Sequence, residues 1–312
     1  MKKKLITLVV ACYNEQDNIL SMHERIKKVF TKLPLYDYEI IYVDNASVDN
    51  SENILTKLAK KDKKVKVILM SRNFGTPQPS FIAGLEHATG DAAVLLHGDI
   101  QDPPEVIPKF IQKWQEGYDV VYGVIKHRKG YNFIWNFFYR FFYYLLHKLA
   151  YINIPLDSSD FSLMDRNVLA EFLKIEEHEF YIRCLRAYVG FKQIGVTYER
   201  QPRTGGTSSQ NFISSAGWAK SIIINFSFKP INWITQIAFI ILCSSFLLFI
   251  VEFISISLFK KSLSGISITV ILMLFLGSIQ LFSLGIVAEY IGKIYLEVKK
   301  RPRYIIRKIL NE

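Results

Sequence analysis

The chain has 312 residues, half of them apolar, which fits one sizeable domain with a smaller part beside it and is rich in apolar side chains for a purely soluble protein. Its formal net charge of +11 suits anionic lipid or phosphate-bearing ligands. No zinc-finger or RNP pattern accompanies the basic residues, which argues against a nucleic-acid module, and the three cysteines, Cys12, Cys184 and Cys243, lack metal-ligand or redox spacing.

Leu5 to Cys12 is a short apolar run that passes into Tyr13-Asn14-Glu15 without a small-residue cleavage site. It reads as a strand buried on both faces, not as a targeting segment. Residues 18–33 carry Ile19, Met22, Ile26, Val29 and Leu33 at helical spacing. Strands are expected over 39–43, 65–70, 92–96 and 120–122, with helices over 51–61, near 81–87, and from Pro103-Pro104 to about 116. Such strand–helix repeats make a mostly parallel sheet with helices on both faces.

Residues 131–151 are strongly aromatic with Arg140, His147 and Lys148 interspersed, a mixture that suits the headgroup layer, so interfacial amphipathic helices are expected there. Trp233 to Val251 and Ile266 to Ala288 carry no charge. Each is near the length of about 20 residues that crosses a bilayer. Two transmembrane helices, about 233–258 and 266–288, are therefore expected after a domain spanning 1–228, followed by a basic tail over 291–312. The lysines and arginines of that tail place it, and with it the large domain, on the cytoplasmic side of a cell membrane crossed more than once.

Ligands of such sheets bind at the carboxyl ends of the strands. Four strands end in polar groups there: Tyr13-Asn14-Glu15, Asp44-Asn45, Ser71-Arg72-Asn73 and Asp99. No GxGxxG follows the first strand and no GxxxxGK[ST] occurs, which argues against dinucleotide and P-loop sites. Glu15 and Asp44 are placed to accept hydrogen bonds from a base or ribose. Asp99 is placed to hold a divalent cation on a diphosphate. Asp49 and Asp102 also read as ordinary turn and helix-cap residues.

The stretches Val9-Val10-Ala11-Cys12-Tyr13-Asn14-Glu15, Val43-Asp44-Asn45-Ala46-Ser47-Val48-Asp49 and Arg72-Asn73-Phe74-Gly75 resemble the family 2 glycosyltransferases. So do Asp99-Ile100-Gln101-Asp102-Pro103-Pro104-Glu105, Asp160-Phe161-Ser162-Leu163-Met164-Asp165, Arg200 through Ser208, Glu289-Tyr290-Ile291-Gly292 and Arg301-Pro302-Arg303-Tyr304. Within that family the pattern is similar to the dolichyl- and polyprenyl-phosphate sugar transferases, including those acting on undecaprenyl phosphate. The resemblance implies an α/β fold of the GT-A type, a nucleotide-sugar donor with a UDP-sugar favoured, a polyprenyl-phosphate acceptor, Mg2+ or Mn2+, and inversion at the anomeric carbon. It places Tyr13, Glu15, Asp44, Arg72, Asp99 and Gln101 on the donor, and Arg200, Arg203 and Ser208 on phosphate or acceptor. Asp99 with His97 falls to the metal, and Asp160 with Asp99 to catalysis. A lipid phosphate is already anionic, so Asp160 is expected to orient or stabilise more than to remove a proton.

The chain departs from the family pattern in four places. His97 stands where the first acid of Asp-x-Asp is usual, which removes a hard oxygen ligand and shifts the expected metal preference toward manganese or softer ions. The usual Asp-Asp-Gly-Ser is Asp44-Asn45-Ala46-Ser47, the segment Thr76 to Ser80 is proline-rich, and the usual Ser-Lys-Tyr is Ser208-Ser209-Gln210. His97 also motivates the reading of a non-catalytic membrane partner. A polysaccharide synthase of the same fold resembles the start of the chain but needs further spans and a Gln-x-x-Arg-Trp motif, and the sequence carries neither. Oligomeric state is left open, a homo-oligomer included.

Overall fold

The computed structural model describes residues 3–125, 158–201, 223–259 and 266–311, together with 150, 152, 154, 155 and 221. The aromatic segment 131–151, apart from residue 150, lies outside the described residues, as do Arg203 and Ser208. The chain forms two compact units. One comprises Met1–His147, Ile152–Ser215 and Arg301–Glu312, and the other Lys148–Tyr151 and Ala216–Lys300.

In chain order the first unit contains β1 (Lys4–Cys12), α1 (Ile19–Thr31), β2 (Tyr36–Asp44), α2 (Ser51–Lys61), β3 (Val65–Met70), α3 (Gln78–Glu86) and β4 (Ala92–His97). A 3-10 turn, Pro104–Val106, leads into α4 (Ile107–Gln115), and β5 (Val120–Ile125), β6 (Ser158–Asp165), α5 (Arg166–Phe172), α6 (Ile182–Tyr188) and β7 (Gln193–Tyr198) follow. The strands and helices expected between residues 5 and 122 are present. The second strand starts earlier than 39, because Tyr36 to Glu39 pair with β1 although their side chains are only half buried.

Eight strands form one sheet in the order β7-β5-β6-β4-β1-β2-β3 and then β8 (Ile306–Leu310). The strands β3, β2, β1 and β4 are parallel neighbours. The chain moves outward from β1 through β2 to β3, then returns to place β4 on the other side of β1. That reversal opens a crevice at the carboxyl ends of β1 and β4. The sheet is mixed elsewhere: β6 runs antiparallel to both β4 and β5, and β8 runs antiparallel to β3.

Alternate residues of β1 serve opposite faces. Ile6, Leu8, Val10 and Cys12 share one core with Ile19, Met22 and Ile26 of α1, Leu55 of α2, and Phe110 and Trp114 of α4. On the other face, α3 approaches so closely that a Cβ on Gly84 would lie 2.2 Å from Val9 Cγ1. Glycine is what permits that contact.

The expected basic tail takes a different form. Residues up to 299 continue a helix, and 306–310 add a strand to the large sheet. Its apolar residues explain this: Ile306, Ile309 and Leu310 are half-buried, with Leu310 packed against the core, while Arg307 and Lys308 are exposed. Asn311 Nδ2 donates to the Val65 carbonyl at 2.9 Å.

The second unit contains two long helices, α7 (Lys229–Phe259) and α8 (Ile266–Lys299). Among the described residues, Phe275–Lys299 is long and apolar enough to cross a membrane. Phe239, Phe246, Phe275, Leu281 and Phe282 are exposed on these helices. Tyr290 Oη donates to the Ser227 carbonyl at 2.7 Å, and Lys293 Nζ donates to Ser221 Oγ at 3.1 Å.

Candidate active site

The parallel register puts Cys12 of β1 beside Asp44 of β2, and Ala11 beside His97 of β4. The three strands therefore end level, and the polar residues that follow them meet. Gly98 N donates to the Ala11 carbonyl at 2.9 Å. A Cβ on Gly98 would lie 2.9 Å from Cys12 Sγ and 3.4 Å from Glu15 Cγ, so the step from His97 to Asp99 lies directly against the end of β1. The Cys12 thiol records the convergence: burial pushes its pKa well up, and Asp44, Glu15, Asp99 and Asp49 raise it further.

Each of these strands leaves the sheet through a non-glycine residue in the left-handed region. The φ values are 54° at Asn14, 57° at Ala46 and 61° at Ile100. Such conformations are costly for side-chain-bearing residues and cluster where function over-determines the backbone. Here side-chain bonds hold the turns. Asn14 N donates to Ser47 Oγ and Asn14 Oδ1 accepts from Val48 N, both at 2.9 Å.

Asp44 is fully buried. It accepts from Ser47 N at 3.2 Å and from Ser47 Oγ at 2.5 Å. Burial raises its carboxyl above the ordinary range, with the Ser47 bonds opposing. Glu15 is also buried and accepts from Asn18 Nδ2 at 2.6 Å. Tyr13 is exposed beside it. Asp49 performs the turn role, accepting from Ser51 N at 3.0 Å and Gln16 N at 3.2 Å. Arg72, after β3, is exposed and stacks on the Phe74 ring at 4.1 Å. Asn45 and Asn73 join the β2 and β3 ends through a bond of 3.2 Å.

Asp99 Oδ1 accepts from Gln101 N at 3.1 Å, closing a tight turn. His97 Nε2 lies 3.6 Å from Asp160 Oδ2. Burial would lower the His97 pKa, but Asp160, Asp102 and Asp99 outweigh it and raise it. Asp160 is 3% exposed and receives Arg183 through both carboxylate oxygens, from Nε at 2.9 Å and from Nη2 at 3.2 Å. Burial alone would push the Asp160 carboxyl up; the Arg183 and His97 charges and hydrogen bonds prevail and hold it far below the usual carboxylate range.

Asp102, read from the sequence as a helix cap in one alternative, caps nothing. Pro103 is the N-cap of the 3-10 turn, with no side-chain cap bond. Asp102 is 1% exposed and instead accepts from Tyr198 Oη at 2.5 Å. Arg200 Nε lies 3.8 Å from the same oxygen.

Arg183, Arg186 and Tyr198 carry site geometry that motif reasoning did not single out. The available signal was the spacing of Arg183 and Arg186, three apart on a short helix. Arg186 is 1% exposed, donates to the Ser159 carbonyl at 3.1 Å, and has its pKa lowered to about 10 by burial. Among the described residues no group of three or more His, Cys, Asp or Glu side chains is placed to hold a metal by itself. A cation at this site would complete its coordination with oxygens of the substrate and water, the usual habit of Mg2+.

The description of glycosyl transferase family 2 matches residues 7–173. An uncharacterized glycosyltransferase, YkcC, of Bacillus subtilis is 38% identical over 304 residues, covering 97% of this chain and 93% of its own. A prophage-derived bactoprenol glucosyl transferase of Shigella flexneri is 35% identical, with 97% of each chain covered. Glucosyl-3-phosphoglycerate synthase from Mycobacterium tuberculosis, solved with Mn2+, UDP and phosphoglyceric acid, is similar with a TM-score of 0.46 at 16% identity, covering 71% of this chain and 76% of that one. With the family's description spanning more than half of the chain and relatives matching it almost end to end, the chain is a glycosyltransferase that belongs to glycosyl transferase family 2.

Proposed function

We propose that the enzyme transfers a sugar from a nucleotide-sugar, a UDP-sugar favoured, to polyprenyl phosphate with inversion, at the cytoplasmic face of a membrane. The observation that carries this reading is the meeting of Glu15, Asp44 and Asp99 at one end of the sheet, beside an Asp160 held ionised by Arg183. The relatives named for bactoprenol glucosyl transfer support the acceptor. The exposed apolar surface of α7 and α8 is what two membrane-spanning helices would present to lipid. The basic tail residues favour the cytoplasmic side for the catalytic unit.

In this reading Asp44 and Glu15 accept hydrogen bonds from base and ribose, with Tyr13 and Arg72 at the rim. Asp99 would hold Mg2+ or Mn2+, which when bound neutralises the leaving diphosphate. A single acid suffices, since such cations take one or two carboxylates plus substrate phosphates. His97 Nε2 is engaged by Asp160, so His97 serves the site through that acid more than as a metal ligand. Arg200, and Arg203 and Ser208 beyond the described residues, would hold the lipid phosphate, for which guanidinium forks are suited. The phosphate oxygen attacks the anomeric carbon as the bond to the diphosphate oxygen breaks, and that electron pair leaves with the nucleotide. Asp160 orients the acceptor side without needing to take a proton.

The test is to incubate membranes carrying the enzyme with labelled nucleotide-sugars and polyprenyl phosphate. A labelled lipid-phosphate sugar, absent in Asp99→Asn membranes, is the expected result. Label appearing only in polymer or protein would sink the reading.

A further inference from the structure

Three direct contacts and a bridge through Arg25 tie the end of β7 to the loop that follows β4, and of the residues involved only Gln101 and Arg200 have a part in the chemistry assigned above. Tyr198 Oη donates to Asp102 Oδ1 at 2.5 Å, and Arg200 Nε lies 3.8 Å from that same oxygen. Gln201 N donates to the Gln101 carbonyl at 3.0 Å. Arg25 spans the outer side, with a two-bond fork to Glu105 at 2.8 and 2.6 Å and a bond to Gln201 Oε1 at 3.4 Å. Burial and Asp102 together push the Tyr198 phenol far above its ordinary value, so it remains a donor.

The latch is built into the packing. The Tyr198 ring meets Phe161 edge-on at 5.6 Å. A Cβ on Gly123 would lie 2.6 Å from Tyr198 Cε1, so glycine there leaves room for the ring. A carboxylate that is 1% exposed is costly to bury without partners. Here its partners come from the segment bearing Arg200, whereas its own loop bears Asp99.

We propose that Asp102 is a positioning residue that, through Tyr198 and Arg200, couples the donor loop 99–105 to residues 199–201 and so to the Arg200 guanidinium. Filling the nucleotide site then tightens residues 199–201 and fixes Arg200 for the acceptor phosphate. The inference rests on the reading of Asp99 as donor-side and Arg200 as acceptor-side.

The experiment uses the full chain in lipid nanodiscs, with UDP and Mn2+ as the probe. Hydrogen exchange is followed at residues 199–201, and transfer to polyprenyl phosphate is measured in parallel. In the wild type, UDP with Mn2+ should slow exchange at the Gln201 amide. In Asp102→Asn and Tyr198→Phe that slowing should be lost while UDP affinity stays within about threefold. The acceptor KM should rise about fivefold or more, with kcat changed less. Unchanged UDP-linked protection in both variants overturns the coupling. So does a uniform loss of melting temperature, UDP affinity and kcat without a rise in acceptor KM, which marks a purely structural role. A wild type that binds UDP and shows no slowing overturns the coupling and leaves the donor reading standing. A wild type that binds no nucleoside diphosphate overturns both.

Discussion

Arg183 grips Asp160 through two nitrogens, Nε to Oδ1 at 2.9 Å and Nη2 to Oδ2 at 3.2 Å. Arg183 is supplied by α6 and Asp160 by β6, so a short helix after the family's main motifs sets the charge state of an acid within them. The consequence is testable in pH. Burial raises the Asp160 carboxyl, and Arg183 and His97 more than reverse it. The folded-state pKa lies below the unfolded one, so the pair's stabilisation is present above about pH 4 and is lost only as pH falls below it. Arg183→Gln removes the main lowering group. Burial then dominates, and the acid limb of the rate profile should move to higher pH, with turnover at neutral pH down by about 10²-fold. Arg183→Lys should retain part of the rate. An Arg183→Gln profile that superimposes on wild type would remove Asp160 ionisation from the account.

A second expectation concerns the cation. Wild type should show a melting-temperature rise with UDP that depends on Mn2+ or Mg2+. Asp99→Asn should abolish the ion-dependent part. His97→Gln should keep most of it, because the His97 Nε2 faces Asp160 at 3.6 Å. If His97→Gln loses ion dependence as completely as Asp99→Asn, histidine is a ligand of equal weight.

Gly84 tests the packing of α3. An added methyl would sit 2.2 Å from Val9 Cγ1 and 3.2 Å from Val43 Cγ2. Both are branched core residues on strands and yield only by moving the helix. Gly84→Ala should cost about 1–3 kcal/mol, overpacking outweighing the gain in helix propensity. The reading is a lower midpoint of thermal unfolding in detergent. Gly117→Ala is the contrast: no atom lies within 4 Å of its Cβ, and φ is 87°, so its cost would come from backbone strain alone.

The strand β8 should be integral to the catalytic unit. It covers the edge of β3, with Arg303 Nη1 donating to the Ile175 carbonyl at 3.0 Å and Tyr304 Oη donating to Glu86. Ending the chain after Lys300 uncovers that edge, and aggregation with loss of UDP binding should follow. Arg307→Gln is the control. Its pair with Glu52 at 2.6 Å is exposed, so the variant should stay within about 0.5 kcal/mol of wild type.

The local pattern alone determined the alternation of buried strands and amphipathic helices and the polar groups at the strand ends. Strands buried on both faces must be apolar along their length, so Tyr13, Glu15, Asp44 and Asp99 could stand only where β1, β2 and β4 leave the sheet. Motif order carried the family as well. Tertiary structure decided the partners. Asp102 and Tyr198 are 96 residues apart, and nothing local to Asp102 distinguishes a helix cap from a buried anchor. Asp160 meets His97 because β6 enters antiparallel beside β4, a direction that the residues of β6, Ser and Asp at its start, do not encode. Residues 306–310 join a sheet begun at residue 4 because β3 offers an unpaired edge, and that vacancy exists only once the other strands have assembled.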